Sequence, residues 1–145
     1  MTGEDFVLCA ERLARSSAEA DLRSAVSRAY FGAFHAARSL LQGNGVRLPK
    51  TEQVHVKLGF CLQDCGDANA GHAGQQLEVL RLERRRADYD LDDGRFADGR
   101  KARSEVARAR DILKAVEQCR IAPTAAEFKT KVRAQAKLLG LTVSE

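Results

Sequence analysis

Apolar residues recur at three- and four-residue spacing along nearly the whole chain, and that period predicts helices. Phe6, Cys9, Ala10, Leu13 and Ala14 form one stripe, which places a first helix from about Gly3 to Ser16. Thr2 with Asp5 three residues on resembles a capping box in its Asp variant. Asp21 opens a second helix that continues to about Gln42 and stops at Gly43-Asn44-Gly45. The middle of this helix, Ala25-Val26 and then Ala29 to Ala37, is apolar almost all round, so it belongs at the centre of a bundle. Ala29, Ala33 and Ala37 allow neighbours to approach closely, while Tyr30, Phe34 and Leu41 fill the space between them.

A loop follows from Gly43 to Lys50, with Pro49 holding the residue before it extended. Thr51 is placed to cap a third helix carrying Val54, Leu58, Cys61 and Leu62 and ending near Gly66. The Gly/Ala/Asn-rich stretch 66–74 reads as a loop within which a fourth helix begins. Leu77, Leu80 and the aliphatic stem of Arg84 mark that helix's inner stripe, which fades around Tyr89–Leu91. Asp92-Asp93-Gly94 is a turn with a ready N-cap. A fifth helix runs from about Phe96 to Arg120 on Ala102, Val106, Ala109, Leu113 and Val116. Pro123 ends this part, and Thr124-Ala-Ala-Glu127 forms a capping box for a sixth helix closed by Gly140. No alternating segment is long enough to argue for a strand. The predicted fold is all-α: an antiparallel bundle of four to five long helices over residues 1–122, with a C-terminal helical extension over 123–145.

Composition narrows the classes. At 145 residues, 44% hydrophobic and 30% charged, the chain is one ordinary domain and too apolar to be disordered. Its longest apolar run, Ala29–Ala37, falls far short of the ~18 residues of a membrane span. The acidic start Met-Thr-Gly-Glu-Asp is unlike a signal peptide, so a cytoplasmic protein with no membrane partner is expected. Of the four cysteines, Cys61 and Cys65 share a helical face, but no CxxC occurs. A zinc site built from them with His55 or His72 would match no common spacing. Reduced thiols are the expectation, with no metal and no other cofactor.

A net charge of +4 permits an anionic partner without demanding one. Arginines are concentrated in two places: Arg81, Arg84, Arg85 and Arg86 at the end of the fourth helix, and Arg95, Arg100, Arg103, Arg108 and Arg110 with Lys101 along the fifth. Antiparallel packing of these helices predicts a basic strip suited to phosphate, since guanidinium forks bind it bidentately. The alternative is a solvated face neutralised by pairs such as Arg84–Asp88 and Lys101–Glu105. Asp88 is spaced to orient Arg84, and the Tyr89 phenol could donate to a phosphate oxygen. His35 shares a minor polar stripe with Arg28 and Arg38 and reads as a core histidine or a proton-transfer group. His55 sits in the first turn of the third helix, where the positive dipole end lowers its pKa. No Ser-His-Asp set, P-loop, GxGxxG or HExxH occurs.

Two motifs carry a resemblance. The run Ala25-Val-Ser-Arg-Ala-Tyr-Phe-Gly-Ala-Phe-His-Ala-Ala-Arg-Ser-Leu-Leu41 resembles the second-helix signature of bacterial and archaeal HEPN domains. Arg84-Arg-Arg-Ala-Asp-Tyr89 resembles the Arg-x-x-Ala-Asp-Tyr pattern of one branch of that superfamily. The likeness covers roughly residues 4–120. It implies a helical bundle that dimerises and, in many members, a metal-independent endoribonuclease or toxin paired with a small nucleotidyltransferase. In active members an arginine, followed four to six residues on by histidine, stabilises the phosphate while the histidine assists attack by a ribose 2′-hydroxyl. Arg84 matches that arginine, but Tyr89 stands where the histidine is expected, and Arg85 replaces a residue that is often small and polar.

Three readings follow. The first is a HEPN-type ribonuclease or toxin with Arg84, Asp88, Tyr89 and His35 as catalytic residues, and Arg28, His55, Arg81 and Arg85 binding the substrate. The second is a non-catalytic HEPN module binding nucleotide, RNA or a nucleotidyltransferase partner. The third is a plain helical interaction protein. A homodimer is expected in the first two.

Overall fold

The computed structural model describes residues 1–121 and 123–144. Ala122, where the sequence divides bundle from extension, and Glu145 lie outside the described residues. Six helices carry the fold: α1 (Gly3–Leu13), α2 (Glu19–Gly43), α3 (Gln53–Gln63), α4 (Ala68–Tyr89), α5 (Gly99–Gln118) and α6 (Thr124–Leu138). A 3₁₀ turn, Gly94–Phe96, joins α4 to α5. The all-α antiparallel bundle is the architecture the sequence predicts. The β structure among the described residues is a short ribbon, β1 (Val46–Arg47) against β2 (Thr142–Val143), with Val46 opposite Val143.

Local chemistry sets most boundaries. The Thr2 amide donates to Asp5 Oδ2 at 2.7 Å, the carboxylate half of the expected capping box. Asp67, Asp93 and Asp98 accept from the amides of Ala70, Arg95 and Arg100 and so start α4, the 3₁₀ turn and α5. Three expected starts are corrected. Helix α2 begins at Glu19, two residues before Asp21. Helix α3 begins at Gln53 after Glu52, with no side-chain cap from Thr51. At α6 the capping box is not made: Thr124 is already helical, and its hydroxyl donates back to the Ile121 and Gln118 carbonyls at 2.9 and 3.1 Å. The Gly/Ala/Asn stretch is almost all helix, because α4 starts at Ala68.

Helix α2 is the centre. Ala29, Ala33, Ala37, Tyr30 and Leu41 are fully buried and Phe34 nearly so. Helix α1 crosses it antiparallel where two glycines meet: a Cβ on Gly32 would lie 2.6 Å from Val7 Cγ2 and 2.7 Å from the Gly3 carbonyl. Helices α3 and α4 meet in the same way, with a Cβ on Gly74 reaching 2.7 Å from the Gln63 nitrogen. Helix α6 packs on its own chain through buried Phe128, Val132 and Ala136, and Cys61 Sγ lies 3.7 Å from the Val132 carbonyl. Arg133 ties it to the Asn44 and Ser144 carbonyls beside the β ribbon.

One buried cation fixes α2 against α4. The Arg23 guanidinium, 7% exposed, donates to the carbonyls of Ala87, Asp90 and Asp93 at 3.0 Å, Leu91 at 3.2 Å and Arg86 at 3.4 Å. It also lies over the Phe96 ring at 4.9 Å. Those carbonyls include unpaired acceptors of the α4 C-terminus, where a positive charge is also favoured by the helix dipole. We expect Arg23→Met to lower stability by about 3 kcal/mol, since charged hydrogen bonds to buried acceptors are lost together. Urea unfolding measures the loss, and amide exchange should open first at residues 86–93. Unchanged exchange in that segment would contradict this assignment.

Candidate functional site

Helix α4 presents Arg81, Arg84 and Asp88 at offsets of three and seven, which is one face of a helix. That face packs antiparallel on α2. Arg84 Cζ stands 5.5 Å from the Tyr30 ring centroid and 5.4 Å from that of Phe31. Its Nη1 donates to Asp88 Oδ2 at 3.2 Å, and Ser27 of α2 donates to the same oxygen at 3.3 Å. Arg81 is held by Glu78 in a two-bond fork at 2.9 and 2.8 Å. That fork holds the Glu78 carboxyl below its usual range. Arg84 therefore lies over two aromatic rings with one of its five N–H donors committed to Asp88. Its side chain is 16% exposed, and its buried Nε has no acceptor among the described residues.

The phenol of Tyr30 joins α3 to this face. Tyr30 Oη is 2.6 Å from His55 Nδ1. Burial drives the phenol pKa well above its ordinary value, against the pull of Arg81 and Arg84. Tyr30 is thus the donor, His55 Nδ1 the acceptor, and the imidazole proton resides on Nε2. Burial lowers the His55 pKa, Glu52 opposes this, and Arg84 and Arg81 add to it. At neutral pH the site offers two guanidinium groups and a neutral imidazole with a donor nitrogen. This is an arrangement for holding an oxyanion. The sequence reading took Tyr30 as a space-filler. The rule that a buried phenol must find a partner could have pointed to its hydroxyl.

The remaining expected residues are placed apart from this group. Tyr89 is five residues beyond Arg84, roughly 140° around the helix, and is 76% exposed. His35 is stacked on Phe6 at 5.6 Å, and Phe34 lies between it and His55, at 5.3 and 4.6 Å from the two rings. It lines a different cleft, of about 830 Å³, with Phe6, Arg38, Gln42 and Arg120. Burial and Arg38 both lower its pKa. Arg28 lies over Phe6 and Phe31 at 5.3 and 5.5 Å, bordering the Arg84 group. Arg85 is exposed. His72 is an exposed residue of α4, not of a loop.

The basic strip expected along α4 and α5 is largely neutralised. Both expected pairs form, Arg84–Asp88 and Lys101–Glu105, each at 3.2 Å. Buried Glu83 meets Arg86 of its own helix at 2.7 Å and Lys101 of α5 at 3.3 Å, and fully buried Glu105 meets Arg108 of its own helix at 2.9 Å. Arg95, Arg100 and Arg110 pair with Asp93, Asp98 and Glu4. The cysteines are free thiols, and burial pushes Cys61 and Cys119 up to about 12, which keeps them protonated and unreactive.

Residues 3–119 match the family profile described as the HEPN domain. The chain belongs to the HEPN family. The match spans α1 to α5 and stops before α6. No curated protein and no solved structure is matched by the chain. HEPN domains as a family are associated with ribonuclease and toxin roles or with nucleotide binding. No described helix is long and apolar enough to cross a membrane.

A titration checks the site's hydrogen bonding. His55 of the HEPN bundle should titrate below about 6.5, the value of a free imidazole, and carry its neutral proton on Nε2. Tyr30→Phe removes a bond made to the neutral ring, so the His55 pKa should rise. Because His35 and His55 are both depressed, the unfolded chain takes up protons first as pH falls. Stability is therefore complete above about 6.5 and declines below it, down to the folded pKa values. Nitrogen NMR of the imidazole rings measures tautomer and midpoint. A midpoint unmoved by Tyr30→Phe would remove Tyr30 from the site.

Proposed function

We propose that this HEPN module binds a phosphate group of RNA or of a nucleotide on the Arg81–Arg84–His55 face and does so without cleaving it. The observation that carries this reading is Arg84, laid over Tyr30 and Phe31 with one bond to Asp88 and its other donors uncommitted. A fixed, partly desolvated guanidinium binds phosphate more strongly than a free surface arginine, because less rotamer freedom is lost and the local dielectric is lower. His55 Nε2 supplies a further neutral donor.

A second reading, a metal-independent endoribonuclease or toxin, is favoured by one observation. The imidazole that position 89 lacks is present nearby as His55, which touches the Tyr30 that also carries Arg84. Arg84→Ala separates binding from packing: RNA or nucleotide binding should fall at least about tenfold, with stability changed by no more than about 1 kcal/mol. RNA incubated with the parent protein and no added metal should keep its ends. A new 2′,3′-cyclic phosphate end that Arg84→Ala abolishes would establish the second reading. Loss of stability without loss of binding would make Arg84 a structural residue.

Exposed apolar residues on α3 and α4 support a homodimer or a nucleotidyltransferase partner. Val56 and Phe60 of α3, and Val79 and Leu82 of α4, are 38–47% exposed. Two-fold pairing would bring two Arg84 groups toward one groove, where a bound anion relieves their repulsion. Light scattering with and without phosphate should show a dimer that phosphate tightens. A monomer at every concentration would leave the single-chain binding reading alone.

A further inference from the structure

Helix α6 carries a surplus of positive charge. The helix carries Lys129, Lys131, Arg133 and Lys137 against the single carboxylate of Glu127, a surplus of three on a chain whose net charge is +4. On α4 and α5, by contrast, most of the cations are engaged in ion pairs, and Arg85, Arg103 and Lys114 are the ones outside them among the described residues. Lys129, Arg133 and Lys137 are spaced four residues apart, so they form one ridge with a rise of about 6 Å between neighbours. Like charges at that spacing repel and weaken a helix. None of the ion pairs among the described residues involves them.

The ridge is rigidly mounted. Phe128, Val132 and Ala136 are fully buried beneath it, and Arg133 is fastened to the Asn44 carbonyl at 3.0 Å and to that of Ser144. Lys129 and Lys137 remain exposed on either side of that fastening. Arg47, exposed and opposite Thr142 in the β ribbon, adds a cation beside the strand that follows α6. Lys131 lies on the other flank and reaches the Gly66 carbonyl at 3.5 Å.

We propose that the Lys129–Arg133–Lys137 ridge of α6 is a second, independent binding surface for the phosphate backbone of a single RNA strand. It rests on the reading of the Arg84 face as an RNA-phosphate site and extends it to a segment outside the HEPN match. A row of cations at regular intervals along one helix fits a linear polyanion. An anionic membrane is disfavoured, because α6 turns its apolar stripe into the bundle and leaves Leu138 as its one exposed large apolar residue. Lysines contacting phosphates release counterions, so their contribution is read in the salt dependence.

The test uses the full chain and a short, labelled single-stranded RNA of mixed sequence, with affinity measured by anisotropy from about 50 to 200 mM salt. The double variant Lys129→Gln/Lys137→Gln should lower the slope of log affinity against log salt by about 1.4, the equivalent of two single-strand phosphate contacts. Lys129→Arg/Lys137→Arg should restore the parent slope, and thermal melting should show the same fold in all three. A Gln variant with the parent's slope and affinity overturns the proposal. So does capture of phosphatidylserine vesicles through these lysines with no RNA binding by the parent. Arg84→Ala, run in parallel, separates the two readings. If it binds like the parent while the Gln variant loses its slope, the ridge stands and the Arg84 site falls. The reverse pattern leaves the Arg84 site standing and removes the ridge.

Discussion

The contact on which this bundle depends is a single guanidinium placed under the end of a helix. Arg23 gathers the last carbonyls of α4 and those of the turn beyond it, and its ring partner Phe96 belongs to the next element. The register between α2 and α4 follows from that one residue. With position 23 opposite 86–93, antiparallel packing sets Ser27 against Asp88 and Tyr30 with Phe31 under Arg84. A charge so deeply buried would be costly without oxygens around it; the helix end supplies them to both Nη atoms, and Glu19 stands 3.5 Å from Nε. The candidate site is thus placed by a residue that takes no part in it.

Electrostatics in this protein divides by depth. Between α4 and α5 the carboxylates of Glu83 and Glu105 are buried and each meets at least two cations. Such pairs act locally and leave little field outside. The lysines of α6 face water with no ion pair among the described residues, so their field reaches about a Debye length, near 8 Å at physiological salt. A count of arginines therefore misdirects. Most of the arginines of α4 and α5 are already paired with carboxylates, so their number overstates the charge they offer to an anion in solution.

Legibility followed the range of each interaction. Helix α2 could be read because its apolar positions run all round it, and its place at the centre is a consequence of that alone. The pairs Arg84–Asp88 and Lys101–Glu105 were visible because they lie within one helix. Glu83–Lys101 was not, since the pairing depends on how two helices pack. Arg23 escaped notice because its partners are backbone carbonyls, which carry no side-chain signature. Gly71 and Gly74 looked like loop residues, yet both lie in α4, where Gly74 lets the Gln63 backbone approach. Thr124 and Glu127 have the letters of a capping box, but the Ile121 and Gln118 carbonyls claim the hydroxyl first.

The balance between binding and cleavage turns on one hydrogen. Attack by a 2′-hydroxyl needs a base with a free lone pair and an acid for the leaving oxygen. Tyr89 is exposed and lies apart from the Arg84 group, so it supplies no base there. His55 is the only imidazole in the Arg84 group, and its one lone pair, on Nδ1, is covered by the Tyr30 hydroxyl. Its other nitrogen carries a proton and can donate. A second protomer would bring another His55 in the same tautomer, so pairing two chains doubles the donors without supplying a base. Freeing Nδ1 would strand a buried phenol whose ionisation is strongly opposed by burial. The hydrogen bond that orders His55 is thus the same bond that covers its lone pair at neutral pH, and that is the ground on which we propose that this site holds phosphate without breaking its esters.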